Sequence, residues 1–335
     1  MRRLLFLILI VGLGVGGWYV WGNYTVEVRR TPAGGIQYVK LVPRVQRRSP
    51  TGDPAIEQPP VAPARPSVRV ATFNLDGLDE NKLATMQVSD TLVRIIPRFD
   101  VVAVQGVRSK NRGVLVRLTE QLNATGRYYD FATCPTVERD SVPQYNALLF
   151  DAASVEIDRS TVRSVEDPLG RFRYKPLVAQ FRVRGPPETE AFTFLLINVH
   201  VEADRVSIEL DLLADVYRAV RDAGRNEDDI VLLGDLESDA EHLGRLARLP
   251  NITAAATNVP TTTRGTQQSD NILFDRRATA EFTGRAGVLD MIRELDLKPE
   301  AALAVSEHLP VWAEFSCYEG GQAGHVADTA KAAVR

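Results

Sequence analysis

From Val68 onward the chain is built of short apolar or alternating runs separated by polar, Gly- and Pro-containing turns. VRVATFN (68–74), DVVAVQ (100–105), YNALLFD (145–151), LVAQFRV (177–183), FTFLLINVHV (192–201), DIVLLGD (229–235), SDNILFD (269–275) and LPVWAEF (309–315) all have the length and composition of strands. Between some of them the apolar spacing becomes helical: 81–96, 113–123, and 205–224, where Gly224 supplies the stop. Many strands with few helices predict two packed sheets covered by helices.

The N-terminus follows another pattern. Arg2 and Arg3 precede LLFLILIVGLGVGGWYVWG (4–22), which carries no charge and is about long enough to span a bilayer. Trp18, Tyr19 and Trp21 sit where an interfacial aromatic belt lies. A cleavable signal is the other reading, but the aromatic cluster offers no small-x-small cleavage site, which favours an uncleaved anchor. The expectation is a single-pass anchor with the globular domain outside the cytoplasm; signal cleavage makes the domain secreted instead. Residues 23–67 are rich in Pro and Arg and read as a semi-rigid linker, with IQYVKLV as its most strand-like part. Residues 316–335 read as a disordered tail.

Composition narrows this further. At 335 residues with 44% hydrophobic and 25% charged positions, the chain has ordinary globular values. The net charge of −3 is unevenly spread: nine Lys/Arg against three Asp/Glu put residues 1–67 at +6, leaving the remainder at −9. An acidic body is a poor generic binder of polyanions, although a local basic groove stays open. Cys134 and Cys317 have no metal-ligand spacing and read as free thiols.

Polar residues recur where the strands end: Asn74, His200, Asp235 with Glu237, Asp270, and Glu307 with His308. Taken singly, such an Asp more often caps a turn and such a His is more often satisfied structurally. Their recurrence in one domain is what matters, because strand ends converge on one rim. Carboxylates hold divalent metals, and His binds phosphate oxygens or moves protons, so the set suits phosphate-ester hydrolysis.

These motifs resemble the endonuclease/exonuclease/phosphatase superfamily, and within it the pancreatic-type deoxyribonuclease branch. VATFNLDG is similar to the family's opening strand and FRYKPLVAQF to its aromatic–basic–Pro strand. LLINVHVEAD, a long helix and DIVLLGDLESD match the His strand and the Gly-Asp-x-Asn motif; SDNILF and AALAVSEHLPVWAEF match the Asp strand and the closing Ser-Asp-His block. The resemblance runs from Val68 to Phe315. It implies an α/β four-layer sandwich, two central mostly antiparallel sheets face to face with helices outside. It implies catalytic roles for His200, Asp235, Asp270 and His308, phosphate binding by Asn74 and Arg108, and Mg²⁺ or Mn²⁺ as cofactor. The implied partner is a phosphate ester, with nucleic acid one option.

Some positions depart from that pattern. Gly106 stands where the family carries its metal-binding Glu, Glu237 where it carries Asn, and Glu307 where it carries Asp. Gln144 falls near a Glu that orients the first His. Either the usual chemistry is lost, leaving a silent binding domain, or Glu237, Asp235 and Glu307 build a shifted metal site. Gly106 itself reads in two ways: a vacated ligand position that Glu would restore, or a close backbone approach that only glycine permits.

Overall fold

The computed structural model describes residues 24–30, 36–43, 66–134, 142–223 and 227–324. The apolar stretch 4–22, most of the 44–67 segment and residues 325–335 lie outside them; among the described residues no helix is long and apolar enough to cross a membrane. The chain divides into two compact units, 1–58 and 59–335. In the first, the stretch expected to be a linker contains an antiparallel hairpin of β1 (Tyr24–Arg30) and β2 (Ile36–Pro43).

The second unit holds two six-stranded sheets. One is formed by β13 (Phe282–Val288), β14 (Val311–Ser316), β3 (Ser67–Leu78), β4 (Val101–Arg108), β6 (Gln144–Asp151) and β5 (Tyr129–Ala132), in that order. The other runs β11 (Ile252–Ala254), β12 (Asp270–Asp275), β10 (Ile230–Asp235), β9 (Thr193–His200), β8 (Leu177–Val183), β7 (Val155–Ser164). Each sheet is antiparallel except for one pair, β3 with β4 and β9 with β10. The expected sandwich of mostly antiparallel sheets is therefore the observed one.

Strand periodicity builds the layers. Val68, Val70, Val101, Ala103, Leu148 and Phe150 of one sheet meet Phe181, Phe194, Leu196, Val231, Leu233 and Ile272 of the other in a buried inter-sheet core. The alternate residues Ala71, Phe73, Val102 and Val104 pack under the helices Met86–Ile95 and Gly113–Asn123. Leu195, Ile197, Val199, Ile230 and Leu232 pack under the helix Val206–Arg221. The result is helix, sheet, sheet, helix.

Several expectations change. The helix expected over 81–96 is two, Glu80–Ala84 and Met86–Ile95. Thr85 is extended (ψ 113°), and its carbonyl accepts from Val88 N and Ser89 N at 2.9 and 3.0 Å, so it caps the second helix rather than continuing the first. β5, β7, β11 and β13 have no counterpart among the expected strands. All four are edge strands; β7 is largely polar and β13 is interrupted by Gly284, Arg285 and Gly287, so the apolar signal is weak there. Residues 316–324 are ordered rather than disordered: Phe192 N donates to Cys317 O (3.0 Å), Cys317 N to Pro66 O (3.1 Å) and Glu319 N to Glu190 O (2.9 Å). This segment supplies partners that the backbone around the start of β9 needs. Both cysteines are free thiols.

Candidate active site

The inter-sheet core opens at one rim, and the candidate residues stand on it by strand parity. On β3 the inward positions are Val68, Val70, Thr72 and then Asn74; on β10 they are Val231, Leu233 and then Asp235. His200 ends β9 in the same way, and Asp270 opens β12, which runs antiparallel to β10. Asp235 lies opposite both His200 and Asp270 in the two ladders. Gly234 makes that pairing possible: at φ 155° its Cα lies so close to β9 that a Cβ would stand 1.9 Å from Val199 O.

Asn74, His200, Asp235, Asp270 and His308 are thus brought together. Asn74 Nδ2 donates to Asp235 Oδ2 at 2.8 Å. His308 Nδ1 is 2.9 Å from Asp270 Oδ2, and its Nε2 faces Asp235 Oδ2 at 3.7 Å. His200 Nε2 approaches the same Asp235 oxygen at 3.9 Å. Two imidazoles therefore flank one buried carboxylate.

Their environments push them apart. Burial, and then the charge of His308, holds His200 down at about 3. Burial alone would also lower His308, but Asp270, Asp235 and Glu237 outweigh it and raise it to about 10. Burial and the neighbouring Asp270 carboxylate push Asp235 upward. Near neutral pH the site holds a cationic His308 and a neutral His200 on either side of Asp235, whose buried carboxyl group is itself held toward its protonated form; three groups of divergent proton affinity are suited to acid–base work.

The carboxylates also fit a hard cation. Oxygen and nitrogen atoms of Asp235, Asp270 and His308 lie within 4.8 Å of one another, and the buried Asp270 Oδ1 has no hydrogen-bond partner. The shifted site expected from Asp235, Glu237 and Glu307 is not assembled. Glu307 precedes the inward-facing His308 in an extended segment, so it points outward; it is exposed and its carboxylate lies 3.5 Å from Arg264. Glu237 is half-buried, with its N–H on Asp235 Oδ1 (3.1 Å) and a left-handed backbone (φ 49°).

Gly106 takes the second of its two readings. Both ladders of β4 are interrupted beside it, its φ is 71°, and a Cβ there would meet Asn74 Oδ1 at 2.7 Å, Asp76 N at 3.0 Å and Gly77 N at 3.1 Å. The glycine admits the 74–77 turn, in which Asn74 Oδ1 accepts from Asp76 N at 2.9 Å. Arg108 is exposed at the end of β4, against Gly77. Gln144 pairs with Arg108 across the ladder and does not orient His200, whose buried Nδ1 has no hydrogen-bond partner.

Other residues hold the site in ways the strand-end argument did not reach. Tyr174 stacks on His200 with ring centroids 4.3 Å apart and planes 15° apart. Ser306 Oγ donates to Asn74 O (2.6 Å) and accepts from His308 N (2.9 Å), which ties two site residues to one hydroxyl. Thr261 Oγ1 donates to Asp270 Oδ2 at 3.0 Å. Behind the rim, Gln105 Nε2 donates to Asn198 Oδ1 (2.7 Å), and Asn198 Nδ2 to Val104 O and Ala147 O (3.1 and 2.8 Å), joining the sheets by a buried polar bridge. Tyr174 and Ser306 lie inside FRYKP and SEHLP, so those motifs were the available signal.

Comparison with known proteins adds relatives of one kind. The chain is 26% identical over 267 residues to deoxyribonuclease-1-like 2 of Mus musculus, spanning 75% of this chain and 93% of the relative. It is 27% identical over 260 residues to deoxyribonuclease-1 of Sus scrofa, spanning 73% and 90%. Among solved structures, the endonuclease/exonuclease/phosphatase from Bacteroides vulgatus shares the fold at a TM-score of 0.52 and 16% identity, covering 76% of this chain and 100% of that one. A humanized D. rerio TDP2 does so at 0.52 and 15%, covering 75% and 100%. No family model matches the chain.

Proposed function

Because the chain belongs to the endonuclease/exonuclease/phosphatase superfamily, we propose that it hydrolyses phosphate esters, phosphodiesters foremost, at the rim built on Asp235. The observation that carries this reading is the pair of imidazoles that flank one buried carboxyl group, with His308 Nε2 at 3.7 Å and His200 Nε2 at 3.9 Å from Asp235 Oδ2. His308, held by Asp270, binds a phosphoryl oxygen and delivers a proton from Nε2. Asp235, fixed by Asn74, takes the proton of the attacking water. Neutral His200, stacked on Tyr174, accepts or relays a proton at Nε2. A divalent cation held by Asp235 and Asp270 would supply Lewis-acid stabilisation of the phosphoryl charge; Mg²⁺ and Mn²⁺ are the candidates.

The names of the sequence relatives favour DNA among the phosphodiesters, whereas the −9 balance of residues 68–335 favours a small phosphodiester over a long polyanion. The second reading is a silent binding domain. It is favoured by the half-buried anion of Glu237, near enough to raise His308, in a place that repels a phosphate. The apolar stretch 4–22 supports a membrane anchor ahead of the domain; intact-mass measurement of the membrane fraction tests it, and a mature N-terminus near residue 20 refutes it.

The test is a panel of DNA, dinucleotide, nucleotide and phosphomonoester substrates with Mg²⁺, Mn²⁺ and Ca²⁺, on the full chain and on His308→Ala. Turnover in the native protein that His308→Ala loses is the expected result. No turnover on any substrate, with His308-dependent binding of an oligonucleotide, establishes the binding domain instead.

A further inference from the structure

A second group of buried carboxylates lies at the opposite end of the sandwich. β10 carries Asp235 at its C-terminal end and is preceded by Asp229, so the two are separated by the strand's length, about 20 Å. Asp229 is joined by Glu281, just ahead of β13, and Glu319, just after β14. Asp229 and Glu281 are 1% and 2% exposed. Carboxylate oxygens of these three residues lie within 4.8 Å of one another, and Glu227 flanks Asp229. Among the described residues no Lys, Arg or His forms an ion pair with any of the four.

Unsatisfied atoms mark the spot. Glu281 Oε1 accepts from Gly320 N, while its Oε2 is buried with no partner. Asp229 Oδ1 is also buried with none. The Thr279 hydroxyl, fully buried beside Asp229, makes no hydrogen bond of proper geometry. By contrast, both Glu227 oxygens are engaged, with Asp229 N at 3.0 Å and Gln180 Nε2 at 3.3 Å. Orphaned buried oxygens of this kind are rare in folded proteins and call for an occupant.

We propose that Asp229, Glu281 and Glu319, with the Thr279 hydroxyl, bind a Ca²⁺ ion that ties the two sheets together at the end remote from the active site. All donors are oxygens, which suits a hard cation. Ca²⁺ takes about six to eight oxygen ligands in flexible geometry, so three carboxylates and a hydroxyl held by the fold suit it, whereas Mg²⁺ demands a near-ideal octahedron and usually keeps several waters. Asp229 leads into β10 of one sheet, and Glu281 and Glu319 adjoin strands of the other. Without the cation, burial raises all of these acids, and mutual repulsion adds to it for Asp229 and for Glu319, which is pushed up to about 7.

The test is thermal unfolding of the full chain in EDTA and in Ca²⁺, with Asp270→Asn removing an active-site donor. Ca²⁺ at about a hundredfold excess over Kd is expected to raise Tm by roughly 5–10 °C, equally in Asp270→Asn. Glu281→Gln should abolish that rise while leaving the EDTA form at least as stable as the native chain. Thr279→Val should weaken Ca²⁺ binding with little effect on folding. If Glu281→Gln does not fold, Tb³⁺ luminescence of the native chain and of Asp270→Asn, displaced by Ca²⁺, decides the matter. A Ca²⁺ effect that is absent, that survives Glu281→Gln and Thr279→Val unchanged, or that vanishes with Asp270→Asn overturns the proposal, and the acids then share protons instead.

Discussion

Placing a side chain at position 106 separates a missing ligand from a required glycine. A non-glycine residue at φ 71° costs about 1–2 kcal/mol from its backbone alone. The Cβ then meets Asn74 Oδ1 at 2.7 Å and two backbone nitrogens at 3.0 and 3.1 Å, so a packed turn must shift. Forced overpacking of this kind costs about 1–3 kcal/mol. The total is roughly 2–5 kcal/mol, or a fall in Tm of about 4–20 °C for a domain of this size. Gly106→Ala carries the whole perturbation, because the clash begins at Cβ. Gly106→Glu should therefore melt close to Gly106→Ala, and both should lose turnover because Asn74 no longer holds Asp235 at 2.8 Å. The assay is thermal unfolding of both variants, with calorimetric Mg²⁺ and Mn²⁺ titration. A Glu variant that melts with the native protein and binds metal more tightly would falsify this account and restore the vacated-ligand reading.

Four further outcomes follow from the site. Glu237 sits at φ 49°, where Asn is tolerated better, so Glu237→Asn should gain up to about 1 kcal/mol and raise kcat/KM by removing an anion beside the phosphate; lower Tm and unchanged kinetics count against it. Between about 6.5, the unfolded value, and about 10 the native His308 keeps a proton that the unfolded chain has lost, so its contribution is complete below 6.5 and fades as pH rises. His200 acts oppositely, its contribution fading as pH falls from 6.5 toward about 3; Tm–pH curves of the native chain and His308→Asn should differ on the alkaline limb, and identical limbs refute the assignment. Tyr174→Leu should lower kcat more than it raises KM and shift the acidic limb of the rate profile, because the ring that stacks on His200 is gone; an unchanged profile sinks this role. Glu209, fully buried, accepts from Arg173 N and Glu202 N at 3.0 and 3.2 Å, so Glu209→Ala strands two donors and should cost about 2–5 kcal/mol by denaturant unfolding, whereas a loss under 1 kcal/mol contradicts it.

The sequence by itself determined the two-sheet sandwich, the central strands and the identity of the rim residues. Buried strands must be apolar along their length, and a polar residue in phase with the inter-sheet positions is visible as such at Asn74, His200, Asp235 and Asp270. Edge strands such as β7 and β13 were not legible, since a solvated face places no apolar demand on sequence. Only the tertiary structure decided which way each group acts. His200 and His308 are the same residue type, and the surrounding carboxylates and burial make one neutral and the other cationic. Alternation in an extended segment turned Glu307 away from the site that sequence spacing allowed it to join. Position 106 keeps two readings in the sequence, because sequence records a missing side chain but not the neighbours that forbid one. Asn74, Asp76 and Gly77 lie about thirty residues upstream, and the fold brings them within 3.1 Å of where a Cβ would stand.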